Sequence, residues 1–190
     1  MKTVVVISVS RAVGETFVAQ IKRFFKESVS VLNYCLRDEF DFAPGEVVAV
    51  LTGQHARSHE KVQKRIAQGM EFILARRSID YTRIQNLLTL PAGKEVLLVN
   101  DFETTTRNAI DHLMRIGLDH LVYHPYYPGI REFPKLKTAV TPGETALVPE
   151  CVERTIDIGT RHADISTIME LVQCLGLMDQ LGDSISSRHL

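Results

Sequence analysis

The 190-residue sequence predicts an α/β protein made of two Rossmann-like (flavodoxin-like) lobes, each with a parallel sheet, and a cleft between the lobes. Short apolar runs alternate with segments of helical periodicity, which is the order of βαβ units. The runs carry Val, Ile and Leu on both faces, as strands covered by helices on each side do. A break in this rhythm at residues 76–93 separates two such units and predicts a hinge.

The first lobe is predicted to span residues 1–78. Its first strand is the run TVVVIS at residues 3–8, and apolar residues at helical spacing follow between Phe17 and Phe25. Three further apolar runs predict strands, and the charged interval before the last run predicts an exposed helix. The strands are placed at residues 29–32, 47–51 and 70–74, and the helix lies within residues 54–68.

A hinge helix and turn are predicted at residues 79–93, and the second lobe at residues 94–162. This lobe opens with the strand EVLLV, followed by a helix that begins near Thr104 and ends at Gly117. The segment HPYYPGIREFP holds three prolines and two adjacent tyrosines, which favours an ordered loop. The remaining predicted elements are strands at 120–123, 138–140 and 155–158, a closing helix at 163–180 and a linker tail at 181–190.

Composition argues against several classes of protein. The 22 basic and 23 acidic residues give a net charge of -1, without the basic excess that nucleic-acid binding requires, so no direct contact with nucleic acid is expected. The apolar opening is too short for a signal peptide and no run approaches the ~20 residues of a membrane span, which predicts a cytoplasmic protein. Three cysteines without CxxC spacing argue against a disulfide framework and a structural zinc site.

Candidate ligand-binding residues come from the turns that follow the predicted strands. In open parallel sheets, ligands bind beyond the carboxyl ends of the strands, where helix N-termini offer free N–H groups. The candidates are Ser8, Ser10, Arg11, Thr52, Gln54, Arg76, Arg77, Ser78, Asn100, Asp101, Thr104, Tyr126, Tyr127, Thr141, Glu144 and Arg161. The arginines and hydroxyls suit an organic anion, whereas helix capping, structural ion pairs and loop packing are the alternative interpretations at the same positions.

Known catalytic and cofactor motifs are missing from the sequence. There is no P-loop, no GxGxxG dinucleotide fingerprint and no GxSxG nucleophile elbow. His55 and His59 have the i, i+4 spacing of a metal pair, but no adjacent Glu and no third ligand accompany them. We therefore expect no catalytic residues, no metal and no cofactor.

Several phrases in fixed order resemble a known family. They are ARRSIDY (75–81), PAGKEVLLVND (91–101), HPYYPGI (124–130), AVTPGE (139–144), LVP (147–149), IDIGTR (156–161) and DIST (164–167). Together they resemble the N-terminal receptor domains of sigma-54-dependent transcriptional activators, in particular a group from anaerobic Firmicutes. More distantly, the layout is similar to the receptor domain of the propionate-catabolism activator.

The resemblance implies a sensory input domain of a bacterial transcription regulator. A small-molecule effector would control an AAA+ ATPase that engages the sigma-54 polymerase, with PAS and helix-turn-helix modules in the full-length protein. The polar tail is then expected to lead into those modules. Two alternatives remain open at this point: a flavodoxin-like or phosphate-handling enzyme, and a structural domain that forms homo-oligomers.

Overall fold

The computed structural model describes residues 2–178 and divides into two compact units. Unit 1 comprises the described residues 2–78 and 162–178, and unit 2 comprises residues 79–161. Each unit contains a four-stranded parallel sheet with flanking helices, which confirms the predicted α/β class. The predicted hinge segment lies in unit 2, and the predicted closing helix lies in unit 1. The predicted tail at 181–190 lies outside the described residues.

Ten strands and six α-helices follow one another along the described chain. The strands are β1 (Lys2–Ser8), β2 (Val29–Cys35), β3 (Val47–Leu51), β4 (Glu71–Leu74), β5 (Arg77–Ser78), β6 (Glu95–Val99), β7 (Val122–Tyr126), β8 (Thr138–Thr141), β9 (Arg154–Asp157) and β10 (His162–Ala163). The helices are α1 (Arg11–Phe25), α2 (Gln54–Ser58), α3 (Glu60–Ala67), α4 (Gln85–Leu88), α5 (Glu103–Arg115) and α6 (Ile165–Cys174). Short 3-10 turns occupy Lys26–Ser28, Pro44–Glu46 and Thr145–Leu147.

The sheet of unit 1 has the strand order β2-β1-β3-β4, with every pair parallel. Helix α1 connects β1 to β2 on one side, and the chain then crosses to β3 on the other side of β1. Residues 36–46 make that crossing without an α-helix and contribute Phe40 and Phe42, which pack against Tyr34. The chain therefore runs from β1 outward to β2 on one side, and then from β3 outward to β4 on the other side. This reversal of strand order makes β1 and β3 a topological switch point.

Two apolar clusters cover the two faces of the unit 1 sheet. On one face, Val4 and Val6 pack with Phe17 of α1 and Leu171 of α6, all fully buried. On the other face, Val5 and Ile7 pack with residues of α2, α3 and the crossing segment. Strand side chains alternate between faces, and because both faces are covered, β1 is apolar at all positions from Val4 to Ile7. The short antiparallel pair of β5 and β10, which sequence periodicity did not predict, joins the two stretches of chain that make up this unit.

The sheet of unit 2 has the order β7-β6-β8-β9, again with every pair parallel. Its strands therefore follow the same order in space as those of unit 1, with β6 in the place of β1. One face is covered by α5 and by residues 79–90, which include α4. The other face is covered by chain without an α-helix, from the segments after β7 and after β8.

Two elements differ from their predicted form. Strand β7 continues to Tyr126 and includes Pro125, where a loop was predicted. Pro is tolerated because β7 is an edge strand, so its missing N–H interrupts no ladder. The predicted helix within residues 54–68 is broken at His59, whose Nδ1 accepts a hydrogen bond from the Lys61 N–H and starts α3. Within residues 2–178, no helix has the length and apolar character needed to cross a membrane.

Candidate functional site

Parallel pairing places the carboxyl ends of all four strands at one edge of each sheet. We call these the carboxyl edge of unit 1, formed by the residues that follow β1 to β4, and the carboxyl edge of unit 2, formed by those that follow β6 to β9. All but two of the predicted ligand-binding residues lie at these two edges, because they were chosen as strand-end turns. The exceptions are Arg77 and Ser78, which form β5 and pair with Ala163 and His162. The two edges differ in whether their polar groups are already hydrogen-bonded.

The turn after β1 uses its polar groups within unit 1. Ser8 is fully buried, and its Oγ donates to the Ser10 carbonyl at 2.8 Å. Ser10 is the N-cap of α1, and its Oγ accepts from the Val13 N–H at 3.4 Å. Arg11 pairs with Asp38 after β2, at 3.0 Å between Nη2 and Oδ2. These contacts are those of a capped helix start with an ion pair.

Helix α1 approaches the sheet closely at Gly14. A Cβ at this position would lie 2.2 Å from Asn33 Oδ1 and 2.7 Å from Ser8 Oγ. The first turn of α1 therefore rests directly on the ends of β1 and β2, with no room for a side chain. Asn33 Oδ1 is buried there, with no hydrogen-bond partner in the part of the chain that the structure describes.

The turns after β3 and β4 carry one exposed amide side chain and two arginines that already contact other parts of unit 1. Thr52 is buried, whereas Gln54 is exposed at the start of α2. Arg76 turns toward α6, where its Nη2 lies 2.8 Å from Glu170 Oε2. Its backbone N–H and carbonyl both bond to Thr167. Arg77 reaches the turn after β3, since its guanidinium lies 3.4 Å from the position of a Cβ on Gly53.

The turn after β6 holds the most unusual polar group of unit 2. Asn100 is only 4% exposed, and its Oδ1 accepts from the Asp101 N–H at 2.9 Å. Its Nδ2 is buried and has no hydrogen-bond partner among the described residues. Asp101 in turn accepts from the Thr105 hydroxyl at 2.6 Å, which orders the start of α5. These hydrogen bonds hold the turn in place, yet the Nδ2 of Asn100 remains a buried donor without an acceptor among the described residues.

The turn after β8 brings Glu144 close to the carboxylates of Asp101 and Asp157. Burial, and then the negative charges of these two residues, raise the pKa of Glu144 above its usual value. Thr141 Oγ1 accepts from the Glu144 N–H at 2.9 Å and holds the turn in place. Three carboxyl groups from three strand ends therefore lie within electrostatic range of one another at the carboxyl edge of unit 2.

Asp157 connects the turns after β8 and β9. Its Oδ1 accepts from the Gly143 N–H at 3.0 Å and from the Gly159 N–H at 2.8 Å. Both glycines have positive φ, +95° and +76°, a conformation that L side chains rarely adopt. A Cβ on Gly143 would also lie 2.6 Å from Thr160 Oγ1. The sequence analysis singled out the turn at residues 141–144 but not its connection to Asp157. The signal in the sequence is an Asp two residues before a Gly, in the strand that follows this turn.

The remaining predicted residues of unit 2 have different surroundings. Tyr126 packs edge-on against Phe133 at 4.7 Å between ring centroids, as part of the cover of the sheet. Partial removal from water, and then the Glu103 carboxylate, raise the pKa of Tyr127. Thr104 is exposed in the first turn of α5, and Arg161 is 7% exposed. Of these residues, Tyr127 lies beside α5, next to the turn that carries Asn100.

Metal binding has no support in the described geometry. Among residues 2–178, no three His, Cys, Asp or Glu side chains are grouped so that they could hold a metal ion. His55 is exposed and His59 caps α3, so neither belongs to such a group.

Comparison with known proteins gives no match: no protein-family model, no curated protein and no solved structure is significantly similar to this chain. The function is accordingly argued from the residues and their geometry.

Proposed function

We propose that this chain is the small-molecule-sensing input domain of a transcription regulator, and that unit 2 binds the effector at its carboxyl edge. The observation that carries the proposal is the buried Nδ2 of Asn100 without a partner. A buried donor left unsatisfied costs about 1–3 kcal/mol, so a ligand oxygen that accepts from it recovers this free energy on binding. The position fits, since parallel sheets bind ligands beyond their carboxyl ends.

The neighbouring charges favour one class of ligand. Asp101, Glu144 and Asp157 make this edge acidic, and a bound carboxylate or phosphate would be repelled by them. The arginines that first indicated an organic anion are engaged elsewhere, Arg11 with Asp38 and Arg76 with Glu170. The effector we propose therefore presents a carbonyl or hydroxyl oxygen to Asn100 and hydroxyl or amino groups to the carboxylates.

The regulatory part of the proposal is supported by the sequence phrases that resemble sigma-54-dependent activators. In such a regulator the bound effector would change the activity of an attached AAA+ ATPase. The prediction for a full-length regulator is that the effector changes ATPase turnover, and that an Asn100 variant loses this change while its basal ATPase activity stays the same.

Binding is tested first by thermal shift and then by calorimetry on the 190-residue chain. The panel comprises polyols and sugars, amino compounds, carboxylic acids, nucleotides and flavins. A ligand at 100 times its Kd adds about 2.7 kcal/mol to the free energy of unfolding, which gives a clear shift. We expect the shift with hydroxylated or amino compounds. A flavin retained through purification would instead indicate the flavodoxin-like enzyme, and silence across all classes would indicate a structural domain.

The variant Asn100→Asp locates the site. It keeps an oxygen that accepts from the Asp101 N–H but removes the Nδ2 donor, so ligand affinity should fall at least about tenfold. Asn33→Asp is the control, since it makes the same substitution at a buried amide of unit 1 whose unpartnered atom, the oxygen Oδ1, is retained. Loss of binding in Asn33→Asp alone, or in Arg11→Ala, would move the site to unit 1 and restore the anion hypothesis.

A further inference from the structure

The outer strands of the two sheets are not equally protected against pairing with other chains. Exposed edges are usually blunted by short length, charge or proline. Strand β4 has four residues and begins with Glu71, β7 contains Pro125, and β9 carries Arg154 and Asp157. Strand β2 has seven residues, VSVLNYC, with no charge and no proline. Among the four outer strands, β2 alone lacks every one of these protections.

The free side of β2 also exposes an apolar side chain at its midpoint. Within residues 2–178, β2 pairs only with β1, so the backbone groups on its other side belong to no ladder. Leu32, the central residue of the strand, is 39% exposed. A free backbone edge with an exposed apolar residue at its midpoint is a template for pairing with another strand.

We propose that β2 pairs antiparallel with β2 of a second copy of this chain, around a two-fold axis at Leu32. Glu27 precedes the strand and Arg37 follows it, both exposed, and no ion pair to either is found within residues 2–178. Antiparallel pairing brings the start of one β2 to the end of the other, so Glu27, two residues before one strand, comes near Arg37, two residues after the other. Parallel pairing would instead bring like charges together.

The same register matches the strands over their whole length. With Leu32 opposite Leu32, Val29 lies opposite Cys35 of the second copy and Val31 opposite Asn33. All seven residues then lie opposite a residue of the second copy, although the Cys35 N–H already donates to Asp38 Oδ2, and the two sheets join into one of eight strands. Two-fold symmetric dimers are the commonest oligomers, because one patch on each copy satisfies the other. This dimer does not depend on the proposed effector site, which lies in unit 2.

Sedimentation velocity of the 190-residue chain over a concentration series tests the proposal. We expect a species of twice the 21.4 kDa chain mass. Leu32→Lys should weaken dimerisation at least tenfold, because it places two like charges at the axis. Val122→Lys is the matched control, since Val122 is 44% exposed on β7, the strand of unit 2 that corresponds to β2. A monomer at all concentrations, or equal effects of the two variants, would overturn the proposal.

Charge exchange tests the orientation. Glu27→Arg and Arg37→Glu should each weaken the dimer several-fold, and the double variant should restore it, because the two charges exchange places across the axis. Independent, additive losses in the double variant would exclude the antiparallel arrangement.

Cross-linking tests the register. Directly opposite residues in an antiparallel pair have Cα atoms about 4.5–5.5 Å apart, within the range of a disulfide. Leu32→Cys should therefore give a covalent dimer on oxidation that dithiothreitol reverses, whereas Val122→Cys should not. Leu32 is exposed, so the fold of these variants should be retained, and circular dichroism verifies this. Wild-type dimers without the Leu32→Cys cross-link would place the interface elsewhere.

Discussion

The two units share one sheet design but cover it differently. Both have the strand order second, first, third, fourth, and both carry their longest helix after the first strand. In unit 1 the second face of the sheet is covered by α2, α3 and the crossing segment, whereas in unit 2 it is covered by chain without an α-helix. The side chains of that cover in unit 2 are Tyr126, Phe133, Leu136, Leu147, Val148 and Val152. Strand order therefore does not determine the cover, and a cover without α-helices relies on side chains such as Asp157 to hold its turns.

The carboxyl edges differ in the same direction. The start of α1 in unit 1 is closed by its own cap and ion pair, and Arg76 is held by α6. Unit 2 keeps an unpaired amide nitrogen on Asn100 and a carboxyl group with a raised pKa, whereas the unpaired amide atom of unit 1, Asn33 Oδ1, lies against Gly14 of α1. The two units therefore differ in which polar groups their strand-end turns leave available.

The largest effects are expected from truncating the first long helix of each unit. Phe17 and Leu113 are both fully buried, on α1 and α5. Phe17→Ala should cost about 3–5 kcal/mol and Leu113→Ala about 2–5 kcal/mol, through lost burial and the cavity left behind. Urea unfolding gives the loss in free energy, and hydrogen exchange should locate it in unit 1 for the first variant and in unit 2 for the second. Equal loss of protection in both units would show that the two units do not unfold independently of one another.

An intermediate effect is expected from the turns after the third strand of each sheet. Gly143→Ala should cost about 2 kcal/mol, because φ is +95° and the new Cβ would meet Thr160 Oγ1. Gly53→Ala at the corresponding turn of unit 1 should cost less than about 0.5 kcal/mol, since its φ of 171° is extended and its nearest contact is an ordinary 3.4 Å.

Gly129→Ala separates the two causes at Gly143. It has a φ of +90° and no atom within 4 Å of a new Cβ, so it should lose only about 1 kcal/mol, from the backbone conformation alone. The midpoint of chemical denaturation measures all three variants. If Gly143→Ala costs no more than Gly129→Ala, the close contact with Thr160 plays no part.

The smallest effect is expected from Glu144→Gln, which gives unit 2 the residue type that Gln54 supplies in unit 1. The folded state raises the pKa of Glu144, so it binds the proton more tightly than the unfolded chain does. The stability that this tighter proton binding contributes is fully present below the unfolded pKa of about 4.5, and it is lost as the pH rises through the raised pKa of the folded state.

The Gln variant should therefore be more stable than the native chain at pH 7, by less than about 1 kcal/mol for a half-buried group, and the difference should close at acidic pH. Thermal unfolding at a series of pH values measures the difference. A Gln variant that is less stable at pH 7 would show that the Glu144 charge is favourable there.

Hydrophobic periodicity was sufficient to predict the parallel α/β class, because buried strands such as EVLLV admit few other interpretations. It could not predict β5 and β10, which have two residues each and therefore no period. The extension of β7 through Pro125 was missed because proline is excluded only from central strands, and edge position is a property of the assembled sheet.

The candidate site was only partly accessible from sequence. Strand-end reasoning selected Asn100, Asp101 and Glu144, since turns after strands are readable from the order of segments. It could not show that Arg11 would find Asp38, 27 residues away, or that Arg76 would find Glu170, 94 residues away. The partners of long charged side chains are set by tertiary packing, and local sequence carries no record of them.

The division of unit 1 into two stretches of chain has a consequence for synthesis on the ribosome. Helix α6 and the residues beside it supply Ala163, Ile168, Leu171, Val172 and Leu175 to a cluster whose other buried members come from the first 75 residues. Unit 2 is one uninterrupted stretch and holds all its strands by residue 157. The nascent chain can therefore complete unit 2 while unit 1 still lacks a helix over one face, so the part made first is the part finished last.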